Sequence, residues 1–121
     1  MPTATGHTDA IPASRVIGTD VYNTAGEHIG EIQDVMLEKT SNGIMFAVVG
    51  FGGFLGIGEK YHAIPWASLD YDTDKRGYVV PYSKEELRAA PSYSVNELTE
   101  DDGMKVRNAS YDYYKADPYW Q

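Results

Sequence analysis

The stretch Val49-Gly50-Phe51-Gly52-Gly53-Phe54-Leu55-Gly56-Ile57-Gly58-Glu59-Lys60-Tyr61-His62-Ala63-Ile64-Pro65-Trp66 holds five of the chain's twelve glycines, interleaved with apolar residues. Glycine lets a backbone turn sharply and approach other backbone closely. Aromatic and branched side chains need a packed surface. Together they predict a bent loop between strands whose apolar residues still need cover. A nucleotide loop fails on spacing. Gly50-Phe51-Gly52 opens a G-x-G-x-x-G pattern, but Leu55 replaces the third glycine and a strand follows where a helix is required. A P-loop fails too, because Glu59 separates Gly58 from Lys60. The better account is a glycine-shaped corner of β structure.

Outward from this corner the chain reads as short strands and turns. Val16-Ile17-Gly18 and Val21-Tyr22 are β-like pieces, and Asn23 to Glu27 is a turn. Ile29, Ile32, Val35 and Met36 fit helical spacing. Gly30 and the flanking turns nevertheless favour a strand to Glu38, with a bulge near Gly30 or Asp34. Asn42-Gly43 suits a tight hairpin, and Ile44 to Val49 is apolar enough to be buried on both faces. Beyond the corner, Lys60 to Ile64 is a strand and Pro65 to Leu69 breaks it as one helical turn. Tyr71 leads into the polar turn 72–77, and Tyr78-Val79-Val80 is the last strand. Five to seven short strands favour a small barrel or a strongly curled sheet.

Ser83-Lys84-Glu85-Glu86 is a capping box that starts a helix ended by Pro91; Ser94 to Glu97 can start a second. The segment Met104–Gln121 carries Tyr111, Tyr113, Tyr114, Tyr119 and Trp120, so it should pack on the barrel or on a partner subunit. This divides the chain into a flexible leader (1–14), a barrel domain (15–90) and a C-terminal extension (91–121).

At 121 residues, 42% hydrophobic and 23% charged, the chain suits one soluble domain. It has no run of ~20 apolar residues to span a membrane, nor a basic start with an apolar core to direct secretion. Without cysteine there is no disulfide or thiolate chemistry, which points to a cytoplasmic address. The net charge of -8 has no basic block within it, and that argues against nucleic acid as a partner.

With the strands placed, Ile17-Gly18-Thr19-Asp20-Val21-Tyr22-Asn23, Gly26-Glu27 and Ile29 to Leu37, followed by Gly52 to Lys60 and Ile64-Pro65-Trp66, resemble a PRC-barrel domain. The resemblance covers about residues 15–90. It implies a mainly β fold, a small six-stranded barrel here carrying a short helical, aromatic-rich extension. The family includes the cytoplasmic domain of the photosynthetic reaction-centre H subunit and the C-terminal domain of the ribosome maturation factor. It therefore implies a non-enzymatic, assembly-type role in a stand-alone bacterial protein. The extension lies outside its motifs.

No catalytic, metal or cofactor residues are expected. Asp72-Thr73-Asp74-Lys75-Arg76-Gly77 imitates a calcium loop, but Arg76 and Ser83 stand where ligands belong. The histidines are scattered; Tyr61 and His62 form the one candidate pocket. Phe51, Phe54, Leu55 and Ile57 either pack one end of the barrel or form a contact patch. We expect a mixture, with Phe54 and Leu55 more exposed. Candidate contact residues are thus Phe54, Leu55, Ile57, Trp66, Tyr111, Tyr114, Tyr119 and Trp120. Gly18, Gly30, Gly52, Gly53, Gly56 and Gly58 are expected to be structural. The function expected is a protein-contact module that pairs with itself as a homodimer. The alternatives are a small-ligand or ion-binding regulatory domain and, by family analogy, ribosomal RNA binding.

Overall fold

A computed structural model describes residues 10–51, 61–118 and 120. The strands are β1 (Asp20–Asn23), β2 (His28–Glu38), β3 (Gly43–Phe51), β4 (His62–Pro65), β5 (Asp70–Asp72) and β6 (Gly77–Val80). They form one sheet in the order β4-β3-β2-β1-β6-β5. Every pairing is antiparallel except that of β1 with β6. No hydrogen-bonded ladder joins β4 to β5 among the described residues, so the sheet is not closed; a 3-10 turn, Trp66–Ser68, joins these two strands. The helices are α1 (Ala13–Val16), α2 (Lys84–Ala89), α3 (Val95–Leu98) and α4 (Met104–Tyr114).

Bulges shape β2, near both expected positions. Ile29 lies unpaired beside Gly30, and Gln33 lies unpaired between Ile32 and Asp34. The strand reading of 29–38 therefore stands, and the helix-like spacing of its apolar residues reflects these insertions. A third irregularity leaves Met45 of β3 unpaired between Ile44 and Phe46. The 39–42 connection is a four-residue loop in which Asn42 takes the left-handed conformation (φ 62).

One expectation is corrected. Val16 belongs to a single helical turn, not to a strand. Pro12 stands at its N-cap and its carbonyl receives the Arg15 and Val16 N–H groups. Gly18 (φ 91) then turns the chain so that its N–H reaches Ile32 O at 2.7 Å. Three residues are too few for periodicity to separate a turn of helix from a strand.

Burial falls into two clusters on opposite faces of β3. Ala47 and Val49 join Val21, Ile32, Ile64, Leu69, Tyr78, Val80 and Leu87 on one side. Phe46 and Val48 join Met45, Ala63, Leu98 and Val106 on the other. Alternation along a strand sends neighbours to opposite faces, and the bulge explains why adjacent Met45 and Phe46 share one. The second cluster lies between the sheet and the helices α3 and α4. Each valine, leucine, isoleucine, phenylalanine or methionine in the two clusters contributes about 1.5–3 kcal/mol on full burial.

Candidate contact surface

Local sequence positions the helices. Ser83 and Ser94 both make complete capping boxes, with Glu86 and Glu97 respectively. At the β1–β2 turn, buried Asn23 accepts from the Ala25 and Glu27 N–H groups and donates to Glu27 Oε1. That hydrogen bond, helped by Lys84 at 3.6 Å, holds the Glu27 carboxyl below its ordinary pKa.

The aromatic extension is folded onto the domain. Ser110 Oγ donates to Ala63 O at 2.7 Å and Tyr111 Oη to Met45 O at 2.9 Å. Tyr113 Oη donates to Glu86 O at 2.6 Å. Tyr114 packs between Tyr82 and Tyr113, with ring centroids at 4.5 and 4.9 Å. Burial, then the adjoining phenols Tyr113 and Tyr82, push the Tyr114 hydroxyl well above its usual pKa. Trp120 meets Tyr111 edge to face at 4.9 Å and lies 3.6 Å from the Arg107 guanidinium carbon. Arg107 is itself buried; it donates twice to Asn108 Oδ1 and lies 3.5 Å from Glu38 Oε2. An open cleft of about 570 Å³ remains between the end of α4 and Trp120.

Tyr61 and His62 lie where a lone backbone bridge pairs Tyr61 with Tyr93, both N–H···O distances being 2.8 Å. His62 is buried, and desolvation pushes its pKa down to about 4 against a hydrogen bond to the Pro91 carbonyl. The ring is thus held neutral inside the fold. Trp66 is half-buried, 5.6 Å from Tyr78. Phe54, Leu55, Ile57, Tyr119 and the glycines Gly52, Gly53, Gly56 and Gly58 lie outside the described residues. Gly30 is buried in β2 opposite Val21 and Phe51.

Other apolar side chains face solvent. Leu37 is 62% exposed, and Ile11, Ile17 and Tyr71 are also exposed. Leu37 stands directly opposite half-buried Ile44, so the two form a cross-strand apolar pair near the hairpin tip. Neither was singled out from sequence. A leucine within a strand has no local mark that distinguishes the open face from the covered one.

A six-stranded sheet with an apolar core on each face of β3, one of them covered by α3 and α4, defines a small mainly β module. A family model for the PRC-barrel domain matches residues 8–87, well over half of the chain, and the protein belongs to that family. Its fold is similar to that of a protein described as a 16S ribosomal RNA processing protein, RimM, from Pseudomonas aeruginosa. Identity is 13% and the TM-score 0.41, over 69% of this chain and 50% of that one. The chain thus spans about half the length of that protein. No protein of curated function matches the sequence.

Proposed function

We propose that this protein is a non-enzymatic interaction module of the PRC-barrel type that joins protein partners, its own copies included. The observation that carries this reading is Leu37, 62% exposed beside half-buried Ile44 near the hairpin tip of an otherwise acidic molecule. Isolated exposed leucines are ordinary; a cross-strand pair beside a domain's longest hairpin is a better contact point. Family membership supports an assembly role, and the perturbed groups His62 and Tyr114 are explained by packing rather than by chemistry.

The test is light scattering across a wide concentration range on the intact chain and on Leu37→Ser. Concentration-dependent mass that weakens at least tenfold in the variant supports the reading. A monomer at every concentration removes self-association, and a pull-down from cell extract then asks for another protein partner. A thermal-shift panel of metals and nucleotides tests the ligand-binding alternative, since ligands of the folded state raise Tm. The net charge of -8 counts against direct RNA binding; a gel shift with steep salt dependence would restore it.

A further inference from the structure

The second core carries an inference about how copies associate. Met45, Phe46, Val48 and Ala63 lie within the residues that match the family model, yet much of their cover, Tyr93, Leu98, Met104 and Val106, comes from residues beyond it. Val106 enters that core, Ser110 and Tyr111 bond to β4 and β3 carbonyls, and Arg107 reaches Glu38 beside the hairpin tip. The α4 helix has no side-chain cap of its own and is held by the surface it covers. The residues after it travel with it, since Ala116 N–H bonds Tyr111 O and Trp120 rests on Tyr111 and Arg107.

What joins α4 to α3 is a strained link. Asp101 (φ 52, ψ 42), Asp102 (φ 54, ψ 28) and Gly103 (φ 81) are three successive left-handed residues, two of them bearing a Cβ. Such backbone persists where surrounding contacts hold it. Here buried Gly103 is pinned beneath Met45, whose Cε would lie 3.3 Å from an added Cβ. A defined seat, a helix that depends on it and a strained hinge between them are the conditions for exchange of an element between identical chains.

We infer that two copies associate by exchanging α4. The hinge straightens and loses its left-handed residues, and α4 of each copy seats on β3 and β4 of the other. Arg107 of one copy then meets Glu38 of the other, while Leu37, the adjacent residue of β2, points to the opposite face of the sheet. This rests on the self-association reading and specifies its geometry.

The chain has no cysteine, so two single-cysteine variants of the full chain, Ala63→Cys and Ser110→Cys, report the exchange. They are mixed at high concentration, left to equilibrate and mildly oxidised, so that a disulfide forms where the two positions meet. A cross-linked dimer holding one of each variant is expected. As a second measurement, Asp102→Gly relieves the closed hinge and should lower the dimer fraction several-fold in light scattering. A dimer by light scattering without mixed cross-links, or one insensitive to Asp102→Gly, overturns the exchange and leaves self-association standing. A monomer at every concentration overturns both.

Discussion

Gly77 illustrates how one residue secures the parallel contact in this sheet. A Cβ there would lie 2.6 Å from Asp20 O and 2.9 Å from the Tyr22 ring, in the β1–β6 pairing. Gly77→Ala should therefore cost about 1–3 kcal/mol, measured as a lower urea midpoint. In the sequence Gly77 reads only as the end of a polar turn, because the strand it touches is more than fifty residues earlier. Asp102 gives the opposite sign. Asp102→Gly should raise stability by up to about 1 kcal/mol by removing left-handed strain, whereas Asp102→Val should lower it, since branched residues fit that region worst. His62 provides a pH test. Its folded pKa of about 4 lies below the ordinary 6.5, so the unfolded chain takes the proton first as pH falls. The stability this neutral ring allows is complete above pH 6.5 and declines toward pH 4, by on the order of 2 kcal/mol. Chemical denaturation at pH 7.5 and 4.5 should show a smaller difference for His62→Gln than for the unmodified protein. Equal differences would contradict the assignment.

Elements differ in how far their own residues determine them. The two capping boxes are local chemistry, legible as Ser-x-x-Glu, and both are complete. Ser94→Ala should cost about 1 kcal/mol, seen as a lower Tm. The strand β2 was legible against a competing helical pattern, because Gly30 and the turns on either side outweighed the spacing. For α4 the sequence leaves barrel and partner subunit as equal candidates for the surface it packs on, and in the structure the helix is bonded to its own sheet. Tyr111→Phe removes the bond to the Met45 carbonyl in the core, a loss of about 0.5–1.5 kcal/mol. Equilibrium unfolding that shows no such loss would mean that the hydroxyl bond is not part of the hold.

For the whole molecule, the decisive feature is a core on each face of β3. A truncation after Pro91 uncovers Met45, Phe46, Val48 and Ala63 together. The shortened chain should aggregate or lose its cooperative thermal transition, as circular dichroism and light scattering would show. A soluble, cooperatively folding product would mean that the extension is an accessory rather than part of the domain. The expected division at residue 91 follows the helix stop at Pro91 and the end of the family motifs, and packing crosses it through Tyr61–Tyr93, Ser110–Ala63 and Tyr113–Glu86.

By itself the sequence determined the features that depend on neighbours along the chain: the strand and turn order, the capping boxes, the 3-10 turn after Pro65 and the family motifs around Gly18 and Trp66. The run Ile44–Val49 announces burial on both faces, because a strand without polar alternation has no side to offer water; Met45 to Val49 are buried and Ile44 half-buried. Only the tertiary structure decided what covers each face. Alternation says that a side chain has a neighbour across space, and the bulges at Gln33 and Met45 determine which face it meets. The chain after α2 then returns residues 93–111 to β3 and to the start of β4. That is why Tyr111, read as a candidate for a partner's surface, is buried against its own, while Leu37, unremarkable in the sequence, stands open.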